Sequence, residues 1–195
     1  MSALPKVRLT EAEYLDIERK AEFKSEFFRG EMFAMAVASR EHNYVKENLV
    51  GELYARLKGT PCRSLSGDQR VKVSATGLYT YPDVVIVCGK AEYDSIDRDA
   101  LINPVVIIEI LSPSTEKYDR GAKFRQYQQL GSVKEYVLVS QEVPVCESFV
   151  RQADGTWNLT TVTDLKADFE FSTVKVRIPM ADIYNGVDFT YPLPT

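Results

Sequence analysis

The chain of 195 residues has the length of one globular domain, and its 45% hydrophobic and 27% charged residues are ordinary for one. Its net charge of −4 argues against a protein that coats nucleic acid, because such proteins are usually strongly basic. The sequence becomes charged at once rather than opening on an apolar leader, and no run approaches the ~20 apolar residues of a membrane span, so we expect a cytoplasmic protein without a membrane partner.

The first third of the sequence predicts a short helix, a β-hairpin and a long amphipathic helix. Thr10 and Glu13 have the spacing of a capping box, which marks the start of the short helix. The segment "FKSEFFRGEMFAMAVA" contains two strand-like runs around an Arg-Gly turn. In "SREHNYVKENLVGELYARLKG" apolar residues recur at helical spacing, and the helix is predicted to end at Gly59.

Apolar strands alternate with polar segments through the middle of the chain. The runs "DQRVKVSA" and "TYPDVVIVCG" are strand-like, and "PVVIIEIL" and "VKEYVLVS" predict buried strands. A polar connection or short helix is predicted at 90–103. The segment 114–131 predicts a helix that begins at Ser114 or Thr115 and ends at Gly131.

The last third has the pattern of an antiparallel extension. A hairpin is predicted about Asp154-Gly155, followed by a strand in "STVKVRIP" and a short helix or turn in "MADIYNG". No linker rich in Pro, Gly or Ser divides the chain. We therefore expect a single α+β domain over 1–195, with a central mixed sheet flanked by helices and an antiparallel C-terminal extension.

The three cysteines, Cys62, Cys88 and Cys146, are far apart and odd in number. They form no metal-type pair, and the sequence predicts no disulfide framework. We expect each of them to be a small core residue, as free cysteines usually are.

Two carboxylates lie in the most apolar strands. Glu109 interrupts "VVIIEIL", and Asp83 follows Pro82 at the start of "VVIV". A desolvated carboxylate needs a cation, a proton or a metal ion, because effective desolvation costs several kcal/mol. If the two strands are neighbours, both carboxylates can enter one pocket, where Mg²⁺ or Mn²⁺ would relieve their repulsion. The alternatives are a structural ion pair of Glu109 with Lys123 or Arg125, and a simple Pro-Asp turn.

The helix that follows Glu109 carries a candidate cation. Asp119, Lys123 and Tyr127 recur at intervals of four and therefore share one helical face. Because the helix starts soon after Glu109, this face can return over the sheet near the carboxylates. Lys123 could orient a water molecule or stabilise charge on a phosphate; the alternative is an ordinary solvated lysine.

These motifs resemble those of a known family. "YPDVVIV" and "IIEIL" match the Asp and Glu of the PD-(D/E)XK nuclease signature, although Leu111 stands where the signature has its lysine. The block "EILSPST", followed by Asp119, Lys123 and Tyr127, is similar to the Uma-type restriction endonucleases, a branch whose lysine is relocated. "SEFFRGEMFAM", with Glu26, and "SREHNYV", with His42, are also similar, and the likeness extends from about Leu9 to Ile183.

This resemblance implies a restriction-endonuclease-like fold, a homodimer and Mg²⁺-dependent (or Mn²⁺-dependent) hydrolysis of DNA. It also implies site residues. Asp83, Glu109 and the carbonyl of Ile110 would hold the metal, Lys123 would position the attacking water, and Glu26 would bind a second metal or the water of the first. Glu26 could instead be a simple exposed strand residue. The role of His42 stays open, and the alternative to a catalytic role is a histidine that caps or packs at the start of its helix.

Two other functions remain open from the sequence alone. One is a catalytically inactive module of the same fold that binds nucleic acid or a protein partner, which the missing signature lysine favours. The other is a metal hydrolase that acts on a different phosphoester. The presence of all three charged residues, Asp83, Glu109 and Lys123, favours the nuclease.

Overall fold

The computed structural model describes residues 8–189, which form an α+β structure. Its helical segments are α1 (Glu11–Glu18), α2 (Arg40–Leu57), α3 (Glu116–Tyr118), a π-helical turn (Asp119–Lys123), α4 (Phe124–Tyr127) and α5 (Met180–Ile183). Its strands are β1 (Ser25–Phe28), β2 (Glu31–Ala34), β3 (Cys62–Ser66), β4 (Arg70–Val73), β5 (Leu78–Thr80), β6 (Val84–Cys88), β7 (Ala100–Leu101), β8 (Val106–Leu111), β9 (Glu135–Ser140), β10 (Cys146–Arg151), β11 (Trp157–Val162), β12 (Asp168–Phe171) and β13 (Val176–Pro179).

The strands form three sheets. The central sheet has the order β11-β10-β9-β8-β6-β3, in which β8 and β9 are parallel and the other neighbours are antiparallel. A second sheet has the order β2-β1-β5-β4-β7, and β12 pairs with β13 alone. The predicted fold class is confirmed, because the central sheet is mixed, helices flank it, and β10 and β11 extend it antiparallel.

The central sheet has an apolar core on each face. On one face the periodic apolar residues of α2 pack against alternate residues of β8, among them Ile108 and Ile110. On the other face Ile107 and Leu111 pack with α4 and with residues of the second sheet. Because successive strand residues point to opposite faces, Glu109 points towards the second core, beneath α4.

Local signals in the first part of the chain are confirmed. Thr10 caps α1 and forms both hydrogen bonds of the capping box with Glu13. The hairpin of β1 and β2 turns at Arg29 and Gly30, whose φ angles of 51° and 85° suit a tight hairpin turn. At Gly30 an added Cβ would lie 2.6 Å from the Arg8 Cβ, so this close approach requires glycine.

Three predicted elements differ from the structure. "TYPDVVIVCG" is not one strand, because β5 ends at Thr80 in the second sheet and β6 begins at Val84 in the central sheet. The connection contains Pro82, which has no N–H for a sheet ladder. The helix predicted at 114–131 begins at Glu116 and contains a π-helical turn, and α4 ends at Tyr127. The segment 90–103, predicted to be a polar connection or a short helix, contains the short strand β7 near its end.

The expectation for the cysteines is wrong for two of the three. Cys62 on β3 lies directly opposite Cys88 on β6, and the two form a disulfide across the strands. Their separation of 26 residues in the sequence gave no indication of this strand pairing. Cys146 is a buried free thiol, as expected. Across residues 8–189, no helix is long and apolar enough to span a membrane.

Candidate active site

Asp83 lies one residue before β6, and Glu109 lies on the neighbouring strand β8. Val84, the first residue of β6, faces Ile108, so the chain brings Asp83 next to the strand segment that contains Glu109. The backbone N–H of Ile110 donates a hydrogen bond of 2.8 Å to Oδ2 of Asp83. The two predicted metal ligands are therefore neighbours.

Lys123 reaches the same place from the helical segment above the sheet. Its ammonium lies 3.0 Å from Oε1 of Glu109, 3.1 Å from Oε1 of Glu26 and 3.5 Å from Oδ1 of Asp119. Its side chain is only 7% exposed, so the solvated-lysine alternative is wrong. The expectation that this helical face would return over the sheet near the carboxylates is confirmed for Lys123 and Glu109.

The π-helical turn Asp119–Lys123 shapes this side of the site. Single π turns are wider than an α-helical turn and are frequent at functional sites. Both ends of this turn, Asp119 and Lys123, point into the protein and are buried. The hydroxyl of Tyr136 donates to the carbonyl oxygen of Asp119 at 3.0 Å, which fixes the turn against β9.

Tyr127 extends the same helical face, as its spacing indicated, and it has a contact that the sequence did not reveal. Its hydroxyl donates a hydrogen bond of 2.7 Å to Oε1 of Glu109, and the whole side chain is buried. Lys123 and Tyr127 therefore both approach the same oxygen of Glu109. This arrangement leaves Oε2 as the oxygen that can face a cation or carry a proton.

Glu26, on β1, is buried and contacts the Lys123 ammonium. Its Oε1 accepts a hydrogen bond of 2.5 Å from the Thr80 hydroxyl, and its Oε2 accepts one of 3.1 Å from the Tyr118 hydroxyl. The alternative of an exposed strand residue is therefore wrong. Sequence reasoning missed Thr80 and Tyr118, since no spacing rule relates them to Glu26.

His42 lies beside Asp83. Ser39 caps α2 and accepts the backbone N–H of His42, while the imidazole Nε2 lies 3.2 Å from Oδ1 of Asp83. The histidine therefore contacts a candidate metal ligand and also stands in the first turn of its helix. Within residues 8–189, its Nδ1 is a buried atom without a hydrogen-bond partner.

Burial dominates the electrostatics of Glu109. It raises the pKa of this carboxyl to about 8, against the opposing effect of the nearby Lys123 ammonium, and the charges of Asp119 and Asp83 raise it further. For Lys123, burial would lower the pKa, but the surrounding acidic groups, first Glu109, outweigh it and hold the pKa well above its usual value. Burial thus favours a proton on Glu109, whereas the Lys123 ammonium at 3.0 Å favours its anion, and the anion in turn favours the charged lysine.

The other two buried carboxyls are shifted in opposite directions. Burial raises the pKa of Asp119, although Lys123 partly opposes it. Burial would also raise the pKa of Asp83, but the hydrogen bond and charge of His42 and the N–H of Ile110 bring it below its usual value. The surroundings of Asp83 therefore favour its anionic form. Burial disfavours the anionic form of Glu109.

The donors at this site suit a small divalent cation. Asp83 and Glu109 offer two carboxylates, and the N–H and C=O of a strand residue point to the same edge, so the Ile110 carbonyl also faces β6. Mg²⁺ is commonly bound through one or two carboxylates and keeps several waters. In the part of the chain that the structure describes, no group of three or more acidic, His or Cys side chains has metal-holding geometry. Any cation here would therefore rely on water and the carbonyl to complete its shell.

The chain is similar to a known protein family and to two proteins of one organism. The family model Uma2, described as "Putative restriction endonuclease", matches residues 11–177. Two uncharacterized proteins of Synechocystis sp. are similar: sll1609 is 33% identical over 86% of this chain and 95% of its own length, and slr1290 is 30% identical over 95% and 96%.

A solved structure has the same fold. The crystal structure of a "putative nuclease belonging to DUF820" from Anabaena variabilis matches with a TM-score of 0.71 over 88% of this chain and 95% of that chain, at 16% identity. At this identity the likeness concerns the fold alone, and it confirms the nuclease-like architecture expected from the sequence.

Proposed function

Because the chain belongs to the Uma2 family, we propose that it is a metal-dependent endonuclease that hydrolyses phosphodiester bonds in DNA. The observation that supports this most strongly is the position of Lys123, whose ammonium reaches Glu109 from a helix at 3.0 Å. Leu111 occupies the strand position of the signature lysine, and a helix-borne amine at the same carboxylate can supply the missing charge.

Asp83, Glu109 and the Ile110 carbonyl would hold Mg²⁺ or Mn²⁺. Such an ion stabilises negative charge on a phosphate and lowers the pKa of bound water. The protein contributes a fixed geometry: the Ile110 N–H and His42 hold Asp83, and Tyr127 holds Glu109.

Lys123 is proposed to position the attacking water and to stabilise charge on the scissile phosphate. A buried ammonium acts strongly, because little solvent screens it. Glu26 accepts hydrogen bonds from Thr80 and Tyr118 and contacts Lys123. These contacts support a role for Glu26 in directing the lysine, in addition to the expected role towards a second metal or a water.

The proposal also includes the substrate, the oligomeric state and the extent of the domain. The substrate would be DNA, the working form a homodimer, and the whole of 1–195 one domain, of which the structure describes 8–189. The catalytically inactive module remains a second candidate, because Leu111 replaces the signature lysine.

Cleavage of plasmid DNA separates these two candidates. Supercoiled plasmid incubated with the purified protein and Mg²⁺ or Mn²⁺ should become nicked or linear, and EDTA should stop the reaction. If neither plasmid nor single-stranded DNA is cut with either metal while DNA is still bound, the inactive module is the better account.

Metal binding should depend on pH through Glu109. Since its pKa is raised to about 8, a bound cation must displace a proton below that pH. The apparent Mn²⁺ affinity should therefore fall by roughly tenfold per pH unit as the pH drops from 8 to 6, the change expected for release of one proton. Titration calorimetry in two buffers of different ionisation enthalpy measures both the affinity and the proton release. The variant Glu109→Gln should bind weakly with no proton release; an affinity independent of pH in the wild type would contradict this assignment.

A further inference from the structure

Strand β11 forms one edge of the central sheet. Its one neighbour among the strands of residues 8–189 is β10. Edge strands expose unpaired N–H and C=O groups, and proteins usually protect them with charged residues, proline or short length. β11, with the sequence WNLTTV, has six residues and contains neither a charged residue nor proline. The opposite edge strand, β3, carries Arg63.

The hydrogen bonds of the hairpin show which backbone groups face outward. The N–H of Gln152 donates to the carbonyl of Thr156 at 2.8 Å, which makes these two a hydrogen-bonded pair. Such pairs alternate with non-bonded pairs along an antiparallel ladder. On β11, the backbone N–H and C=O groups that point away from β10 therefore belong to Trp157, Leu159 and Thr161.

The next strand supports this assignment. The N–H of Arg151 donates to the carbonyl of Lys134 at 2.8 Å, so the backbone of Arg151 bonds towards β9. Its partner across the hairpin, Trp157, must then direct its backbone outward. The same outward direction applies to every second residue along β11.

We propose that β11 pairs antiparallel with β11 of a second copy of this chain, about a two-fold axis at Leu159. A two-fold interface requires a surface that is complementary to itself. With Leu159 facing its own copy, Trp157 faces Thr161 of the other protomer, and Asn158 faces Thr160. Every outward N–H and C=O of the three residues finds a partner, and no like charges oppose one another.

The side chains favour this occupant over a charged peptide. Leu159 is 48% exposed and lies on the same face as Trp157, so pairing would cover an apolar strip on both protomers. Six residues of pairing form a small interface, in the class below ~1,200 Å², so we expect a dimer that dissociates at micromolar concentrations. The proposed interface is formed by β11 alone. It contains no residue of the candidate metal site and does not depend on nuclease activity.

Disulfide trapping tests the register. Residues at the axis have Cα atoms about 5.5 Å apart, which suits a disulfide. The native thiols do not interfere, since Cys62 and Cys88 are paired and Cys146 is buried. Mild oxidation of Leu159→Cys should give a covalent dimer on a non-reducing gel.

Two matched variants control for random collision. In Thr161→Cys the two new thiols would lie about 14 Å apart, four residues along the strands. Leu165→Cys alters a leucine of similar exposure, 40%, beyond the end of β11. Both should cross-link at least tenfold more slowly than Leu159→Cys. Equal rates for the three variants, or faster cross-linking at 161, would overturn the proposed pairing.

Sedimentation equilibrium provides a second readout. Leu159→Lys would place two ammonium groups opposite each other at the axis and should weaken dimerisation at least tenfold, whereas Leu165→Lys should leave it unchanged. Monomeric wild-type protein at several hundred micromolar would refute the proposal, as would a dimer that both lysine variants leave intact. Neither experiment measures DNA cleavage, so each stands whether or not the protein is a nuclease.

Discussion

Replacing Glu109 with glutamine should abolish metal-dependent DNA cleavage, with a loss of at least about a hundredfold to a thousandfold. Glutamine keeps the size of the side chain, and its carbonyl can still accept the hydrogen bond from Tyr127. It cannot supply the anionic oxygen that a divalent cation requires. Asp83→Asn should have the same effect, since Asp83 is the other carboxylate of the proposed pair. The measurement is the initial rate of plasmid nicking at saturating protein.

The same substitution should change stability in a pH-dependent manner. The pKa of Glu109 is raised from 4.5 to about 8 by folding. Between these values the folded protein keeps a proton that the unfolded chain releases, so the stability of the metal-free protein falls as the pH rises through this window. Glu109→Gln removes this dependence. The variant should therefore melt at a higher temperature than the wild type at pH 8.5, and at a similar temperature at pH 4.

Glu22→Gln removes an exposed carboxylate outside the site and should alter neither cleavage nor the pH dependence of melting. Undiminished nicking by the double variant of Asp83 and Glu109 would show that the activity comes from another site or from a contaminant.

Lys123→Met should lower the turnover of DNA cleavage by on the order of a hundredfold or more, the usual scale for loss of one electrostatic stabiliser. Methionine retains most of the packing and removes only the charge. Metal affinity should not fall, because loss of a neighbouring cation favours the binding of another. Single-turnover cleavage measures the first effect, and Mn²⁺ titration calorimetry measures the second.

The metal-free Lys123→Met protein should also be less stable. Without the ammonium, three buried carboxyl groups, those of Glu26, Glu109 and Asp119, lose their shared cation. Breaking a buried ion pair from one side costs about 3–5 kcal/mol. Acid should restore part of this loss by protonating the carboxylates. Lys117→Met, at an exposed position of α3, is the matched control. Wild-type turnover in the Lys123 variant would rule out the relocated lysine.

Much of the fold could be predicted because its signals are local. The capping box of Thr10, the apolar period of α2 and the continuous apolar run of β8 each depend on residues close in sequence. The proximity of Lys123 to Glu109 was predictable for a related reason, since the helix begins only a few residues after the strand. The sequence did not reveal the π-helical turn, because no residue pattern marks it.

Features that depend on distant strand pairing could not be predicted. The disulfide follows from the alignment of β3 with β6, and β3 itself is short and polar, so that no apolar pattern marked it. The surroundings of Glu26 depend on β1 pairing with β5 and on Tyr118 approaching from the helical segment. Such contacts are set by tertiary packing, which overrides local propensity.

Anomalous diffraction from crystals grown with Mn²⁺ tests the central claim most directly. Data collected at the manganese absorption edge should show a peak within ~2.5 Å of a carboxylate oxygen of both Asp83 and Glu109. The Lys123 ammonium should remain within ~5 Å of the Glu109 carboxylate. The peak should be absent from crystals of Glu109→Gln. A fully occupied Mn²⁺ elsewhere in the protein, with none at Asp83 and Glu109, would contradict the assignment of this pair as the metal site.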